Sequence, residues 1–167
     1  MQQLYHVMTN EEIDVLTDAL ATNSSRECLE IFRRITTEGW VILSAILRNP
    51  NSKLEDLTLK GDEVFNDTVI NSFADALTSN HKLRELEFMC SNRFGCAALT
   101  HTLCNKSSII STFNSNHTLE RICGGMVFVP EELTSLLRIN RENSVSQAAR
   151  LKIIKTHFSG SCGGRPN

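Results

Sequence analysis

The chain has no surplus of positive charge: 17 Lys and Arg stand against 19 Asp and Glu, for a net charge of −2. A nucleic-acid-binding surface needs a basic excess to neutralise phosphates, so this balance argues against that class. No apolar run approaches the roughly 18 residues that cross a bilayer. The opening residues, MQQLYHVMTNEEID, have neither the charged start nor the apolar core of a secretory signal. A cytoplasmic location with no membrane partner is the default expectation. The six cysteines (28, 90, 96, 104, 123 and 162) include no C-x-x-C pair and no zinc-type spacing. Reduced thiols are therefore expected, and the sequons at Asn23, Asn66, Asn105 and Asn116 read as products of a Ser/Thr/Asn-rich composition. The glycine pairs at 124–125 and 163–164 do not belong to a G-x-x-x-x-G-K-S/T loop. What remains is the composition of a soluble globular chain of one-domain length.

The informative stretch is 53–86. Leu54, Leu57 and Leu59 are spaced L-x-x-L-x-L, and Leu83, Leu86 and Phe88 repeat that spacing 29 residues on. Between them Val69, Ile70, Phe73, Ala76 and Leu77 mark an amphipathic helix, with Asp67 as its expected cap. A strand, a turn and a helix at a fixed period predict stacked repeats. Gly39–Asn49 aligns without gaps on Gly95–Asn105, 56 residues on, or twice 28.

The last unit has two possible registers. Extending the first alignment puts Ile110 in the place of Leu54 and predicts a strand over Ile109–Asn114. The rival aligns Ser79–Leu86 with Ser115–Ile122, 36 residues on, and puts a helix end at Ser108–Phe113 and a strand at Leu119–Ile122. The first is the preferred expectation.

The flanks carry capping signals. Thr9-x-x-Glu12 opens a helix with Ile13, Leu16 and Leu20 on one face; Cys28–Ile31 reads as a weak strand, and a second helix carries Leu43, Ile46 and Leu47. Beyond Ile122 the period stops. Pro130 with Glu131 and Glu132 starts a helix, and Ser144-x-x-Gln147 starts another, whose expected apolar face is Ala148, Leu151, Ile153, Ile154 and Phe158. Lys152, Lys155 and His157 are expected to complement that helix's own C-terminal end, and Gly160 to close it. The expected organisation is repeats over 1–122 with a partial first unit, a helical cap over 123–160 and a loose tail over 161–167.

The L-x-x-L-x-L spacing with a 28–29-residue unit resembles the ribonuclease-inhibitor class of leucine-rich repeats, over roughly residues 9–122. That resemblance implies an α/β fold: a short right-handed solenoid with parallel strands on a concave face and helices outside. The family places Asn or Cys eight residues after the first leucine. Here Asp62, Ser91 and, in the preferred register, Thr118 hold those places, and each can still accept backbone hydrogen bonds.

Such a sheet exposes the residues between its leucines: Glu55, Asp56, Thr58 and Lys60; Arg84, Glu85, Glu87 and Met89; and Ser111, Thr112 and Asn114. They make a candidate protein-binding face with an acidic centre, suited to a partner with a basic patch; the plain alternative is a solvated sheet face. His81, His101 and His117 lack ligand spacing to carboxylates or thiols, so no metal or cofactor is expected. Cys96, Cys104 and Trp40 read as core. No nucleophile–base pair emerges, and a non-enzymatic scaffold is the leading expectation. The alternatives are an enzyme regulator, such as a small-GTPase activator using Arg84 or a nuclease inhibitor, and an inert piece of a longer array.

Overall fold

A computed structural model describes residues 7–22, 27–32, 34–60, 65–88, 95–123 and 129–159. The elements are β1 (Val7–Met8), α1 (Asn10–Thr22), β2 (Cys28–Phe32), β3 (Arg34–Ile35), α2 (Thr37–Ser44), β4 (Asp56–Lys60), α3 (Asp67–Ser79), β5 (Glu85–Phe88), α4 (Gly95–Leu103), α5 (Ile109–Phe113), β6 (Arg121–Cys123), α6 (Glu131–Glu142) and α7 (Val145–His157). The fold is α/β, and all strand pairing among the described residues is parallel. One sheet has the order β2-β4-β5-β6, and a separate two-stranded sheet pairs β1 with β3.

The register follows the leucines. Leu29, Leu57, Leu86 and Ile122 lie in one row across the four strands, and Ile31, Leu59 and Phe88 in the next. These side chains point into the core, where Leu57 and Leu59 are 0% and 1% exposed. Each such leucine contributes about 1.5–3 kcal/mol when fully buried, but only if a neighbouring strand and helix close over it.

The helices supply that cover: α1 packs on α2, α2 on α3, α3 on α4 and α4 on α6. Equivalent positions bond across the stack. The Ser44 and Ser72 hydroxyls are 2.7 Å apart, and Thr102 Oγ1 donates to the Ala74 carbonyl at 2.9 Å. Both bonds span 28 residues. Arg48 on the following 3-10 turn pairs with Asp75 of α3. Between the units Phe65 meets Trp40, Phe88 and Phe73 with ring centroids at 4.8, 5.5 and 6.3 Å. Trp40, Cys96 and Cys104 are core, as their sequence contexts indicate.

The caps at Thr9 and Ser144 form as the sequence predicts. Thr9 Oγ1 accepts the Glu12 N–H while the Glu12 carboxylate accepts the Thr9 N–H, and Ser144 and Gln147 bond reciprocally. One cap is displaced by a residue. Asn66, not Asp67, accepts the Val69 N–H at 3.1 Å, and Asp67 begins α3 itself.

Three expectations are corrected. Ile109–Asn114 is not a strand. Ile109–Phe113 is the short helix α5, capped by Ser108, and Asn114 follows it. The strand is β6, placed by the 36-residue register, because Ile109, Ile110 and Phe113 stay exposed while Leu119 is fully buried. On α7, Ile154 and Phe158 are 56% and 61% exposed, and the inward residues are Ala148, Ala149 and Lys152. Lys152 does not serve the end of its own helix. Its Nζ reaches the carbonyl of Leu103, the last residue of α4, at 2.7 Å, where unsatisfied carbonyls collect. Asp62, Ser91, Gly160 and the 161–167 tail lie outside the described residues. No helix among the described residues is long and apolar enough to cross a membrane.

Candidate functional site: the outward face of the sheet

Strand alternation turns every second residue away from the leucine rows. Cys28, Asp56, Glu85 and Arg121 line up across the sheet, and Glu30, Thr58, Glu87 and Cys123 form the next row. Just upstream the main chain repeats one pattern. The Glu27 carbonyl accepts the N–H groups of Glu55 and Asp56 at 2.8 and 2.9 Å. The Glu55 carbonyl accepts those of Arg84 and Glu85 at 2.8 and 3.0 Å. The Arg84 carbonyl accepts those of Glu120 and Arg121 at 2.8 and 3.0 Å. The side chains of Glu55, Arg84 and Glu120 therefore stand in one further row.

Ion pairs stitch the rows together. Arg84 Nε and Nη2 donate to Glu120 Oε1 at 2.9 and 2.7 Å, and Arg84 Nη1 is 3.9 Å from Glu55. Arg121 pairs with Glu85, and Lys60 Nζ lies 3.2 Å from Glu87. The bonds to Glu120 and Glu85 raise the pKa values of Arg84 and Arg121 respectively. Asp56 and Glu85 are direct cross-strand neighbours, a like-charge placement that costs stability. The Asp56 carboxyl is raised above its ordinary range, first by desolvation and then by the Glu85 carboxylate, with Arg121 opposing. Burial, Asp56 and Glu30 likewise raise the Cys28 thiol, which keeps it protonated and a poor nucleophile.

Of the residues expected on this face, Glu55, Asp56, Thr58, Lys60, Arg84, Glu85 and Glu87 are brought together there. Thr58 is the most covered at 9% exposed, lying between the longer Glu30 and Glu87 of the adjoining strands. Met89 lies outside the described residues. Ser111, Thr112 and Asn114 are not on the face: Ser111 and Thr112 belong to α5, and Thr112 is fully buried against the Asn105 and Ser108 carbonyls. Their places are taken by Glu120, Arg121 and Cys123. Cys28 and Glu30 of β2 complete the face on the other side. The 36-residue alignment carried the signal for Glu120 and Arg121 and stopped one residue short of Cys123, and the weak Cys28–Ile31 alternation carried it for Cys28 and Glu30.

A second set of residues escaped the sequence reading. Asn80 Oδ1 accepts the N–H groups of Lys82 and Leu83 at 2.9 and 2.7 Å, and its Nδ2 donates to the Leu47 carbonyl at 2.8 Å. Asn116 does the same one unit later, accepting from Thr118 and Leu119 and donating to the Leu77 and Asn80 carbonyls. These amides fix the helix-to-strand turn that sets the height of each outward row. Asn116 is 0% exposed, so its sequon is closed to glycosylation.

Glu30, Glu55, Asp56, Glu85, Glu87 and Glu120 outnumber Lys60, Arg84 and Arg121 on this face, and the surface is acidic. Among the described residues no three His, Cys, Asp or Glu side chains gather in a way that could hold a metal ion. Comparison with known proteins finds neither a matching family model nor a matching curated protein.

Proposed function

We propose that the chain is a short leucine-rich-repeat solenoid of the ribonuclease-inhibitor type. It acts as a non-enzymatic scaffold that binds a protein partner through the outward face of β2, β4, β5 and β6. The observation that carries this reading is the uncovered face itself. Parallel sheets are almost always covered on both sides, yet Cys28, Glu30, Lys60, Arg121 and Cys123 are exposed here. A face that is open, flat in register and net acidic favours a partner presenting lysines and arginines. The face favours a scaffold over a GTPase activator, because Arg84 is already engaged by Glu120 and would have to leave it to reach a nucleotide.

The test is capture of partners by the wild type and by Glu55→Lys/Asp56→Lys/Glu87→Lys, with equal folding checked by circular dichroism. Proteins held through this face elute as salt is raised, because exposed charge pairs are screened, and they are lost from the reversed variant. Capture that is the same for both proteins removes the proposal.

A further inference from the structure

The junction between α7 and the last strand–helix unit holds two titratable groups in direct contact, with no carboxylate among the described residues acting on them. Lys152 is 1% exposed. Its Nζ lies 2.7 Å from the Leu103 carbonyl, 3.0 Å from the Asn116 carbonyl and 3.2 Å from His117 Nδ1. Three acceptors match the three protons of an ammonium group. The ammonium requires His117 Nδ1 to be a bare acceptor. The ring is then the Nε2–H tautomer, and its Nε2 is placed at 3.0 Å to donate to the Phe113 carbonyl. His117 is 6% exposed. One site thus accommodates a single positive charge, and the contact is lost if the imidazole also gains a proton.

We propose that α7 is an acid-released strap: protonation of His117 sets an imidazolium against the Lys152 ammonium inside the junction and frees α7 from the last unit. The groups that face the pair offset this repulsion only in part. Cys104, just after α4, favours the Lys152 charge, and backbone hydrogen bonds at Phe113 and Thr112 favour that of His117, but burial outweighs them and His81, before β5, adds to the repulsion on His117. Glu131 and Glu132 line the open cleft on the outer side of Lys152 together with Lys106 and Lys155, and Glu132 is engaged by Lys106 at 2.5 Å. The other histidine of α7, His157, lies with Nε2 2.9 Å from Thr112 Oγ1. Thr112 Oγ1 can donate to the Asn105 carbonyl while accepting from that ring, so a protonated His157 keeps its bond.

The direction of the effect follows from linkage. Burial first, and Lys152 second, lower the His117 pKa from 6.5 to about 4. Stability from this group is present above 6.5 and is lost as the pH falls through about 4, since the unfolded chain takes up the proton first. Burial lowers Lys152 from 10.5 to about 7, which acts in the same sense over a higher window: stability rises with pH from about 7 to 10.5.

The test is hydrogen exchange on the full chain from pH 7 to pH 4, reading α7 amides relative to those of α3. The ratio cancels the intrinsic pH dependence of exchange. The wild type is expected to lose at least about tenfold in relative α7 protection over this range, the effect of one pH unit of linkage. His117→Gln, which keeps an acceptor and a donor, abolishes the change. Lys152→Met reduces it and keeps the test available if the glutamine variant does not fold. His157→Gln leaves it in place. Parallel loss of α3 and α7 protection in the wild type overturns the proposal. So does a wild-type response in His117→Gln, or its disappearance in His157→Gln.

Discussion

Gly39 shows how much a single missing atom matters here. A Cβ at this position would lie 2.3 Å from Ile13 Cδ1 and 2.7 Å from Ile35 Cγ2. The bare backbone lets α1 and β3 press onto the start of α2. Alanine is the better helix former by about 1 kcal/mol, but forcing a methyl group into a filled core costs about 1–3 kcal/mol. The Ile13 methyl is the far end of a flexible chain and can move; the Ile35 Cγ2 sits beside its own backbone and has little freedom. Gly39→Ala is therefore expected to lower the urea midpoint, with steric cost outweighing propensity, and a midpoint at or above wild type shows that the contact relaxes freely. Sequence alignment with Gly95 marks this glycine as recurrent but gives no reason for it. The reason for it is the close approach of two side chains, Ile13 of α1 and the less yielding Ile35 of β3, and no helix or turn pattern carries that. Lys152 was misread for the same reason. A lysine near a helix end ordinarily serves that end, and only the packing of α7 on α5 and α6 reveals which carbonyls it meets.

At the scale of elements, leucine spacing was enough for β4 and β5 and failed for β6. The failure has a physical cause. The last unit is longer, and α5 absorbs the additional residues between α4 and β6. Apolar periodicity then matched Ile109 and Ile110, which turn out to be exposed. The better guide was the repeated S-N-H-x-L at Ser79–Leu83 and Ser115–Leu119, because its asparagine has a backbone task that an apolar residue cannot perform. Asn116 serves four main-chain partners from a fully buried site. Asn116→Ala leaves buried donors and acceptors unpaired, and each costs about 1–3 kcal/mol. Asn116→Asp keeps the acceptor but loses the donor and buries a carboxylate oxygen against the Leu77 and Asn80 carbonyls. Both variants are expected to fall well below wild type in chemical denaturation, with aspartate the worse above pH 5 and recovering towards alanine in acid. Equal stability of Asn116→Ala and wild type contradicts the turn-fixing role. On the α6 side Asn140 extends the series, its Nδ2 reaching the Leu119 carbonyl at 2.7 Å, while its Oδ1 meets no donor among the described residues. The ladder of amides thus passes from the strand–helix turns into the C-terminal helices.

For the molecule as a whole, stability is expected to be distributed along the stack rather than pooled in one centre. The helices pack in sequence order, α1 on α2, α2 on α3 and α3 on α4; for the solenoid proposed above, total stability then approximates a sum of unit and interface contributions. The two ends differ. On one, Leu133, Leu136 and Leu137 of α6 close the core and Lys152 ties α7 to α4. On the other, the described pairing beyond β2 is only the two-residue contact of β1 with β3, and Val15 of α1 is 69% exposed. Local opening follows the number of neighbours a segment must leave. At neutral pH, amide exchange is expected to be slowest in β4, β5 and α3, and faster in β2 and α1. Glu30 and Cys28 then sit on the softer margin of the charged face, and Asp56, Glu85 and Glu87 on its rigid middle. A partner that seats on the whole face must order that margin, so binding is expected to slow exchange in β2 more than in β5. Uniform protection from β2 to β6 in the free protein, or a binding response confined to β5, would show that the units do not behave as a chain of neighbours.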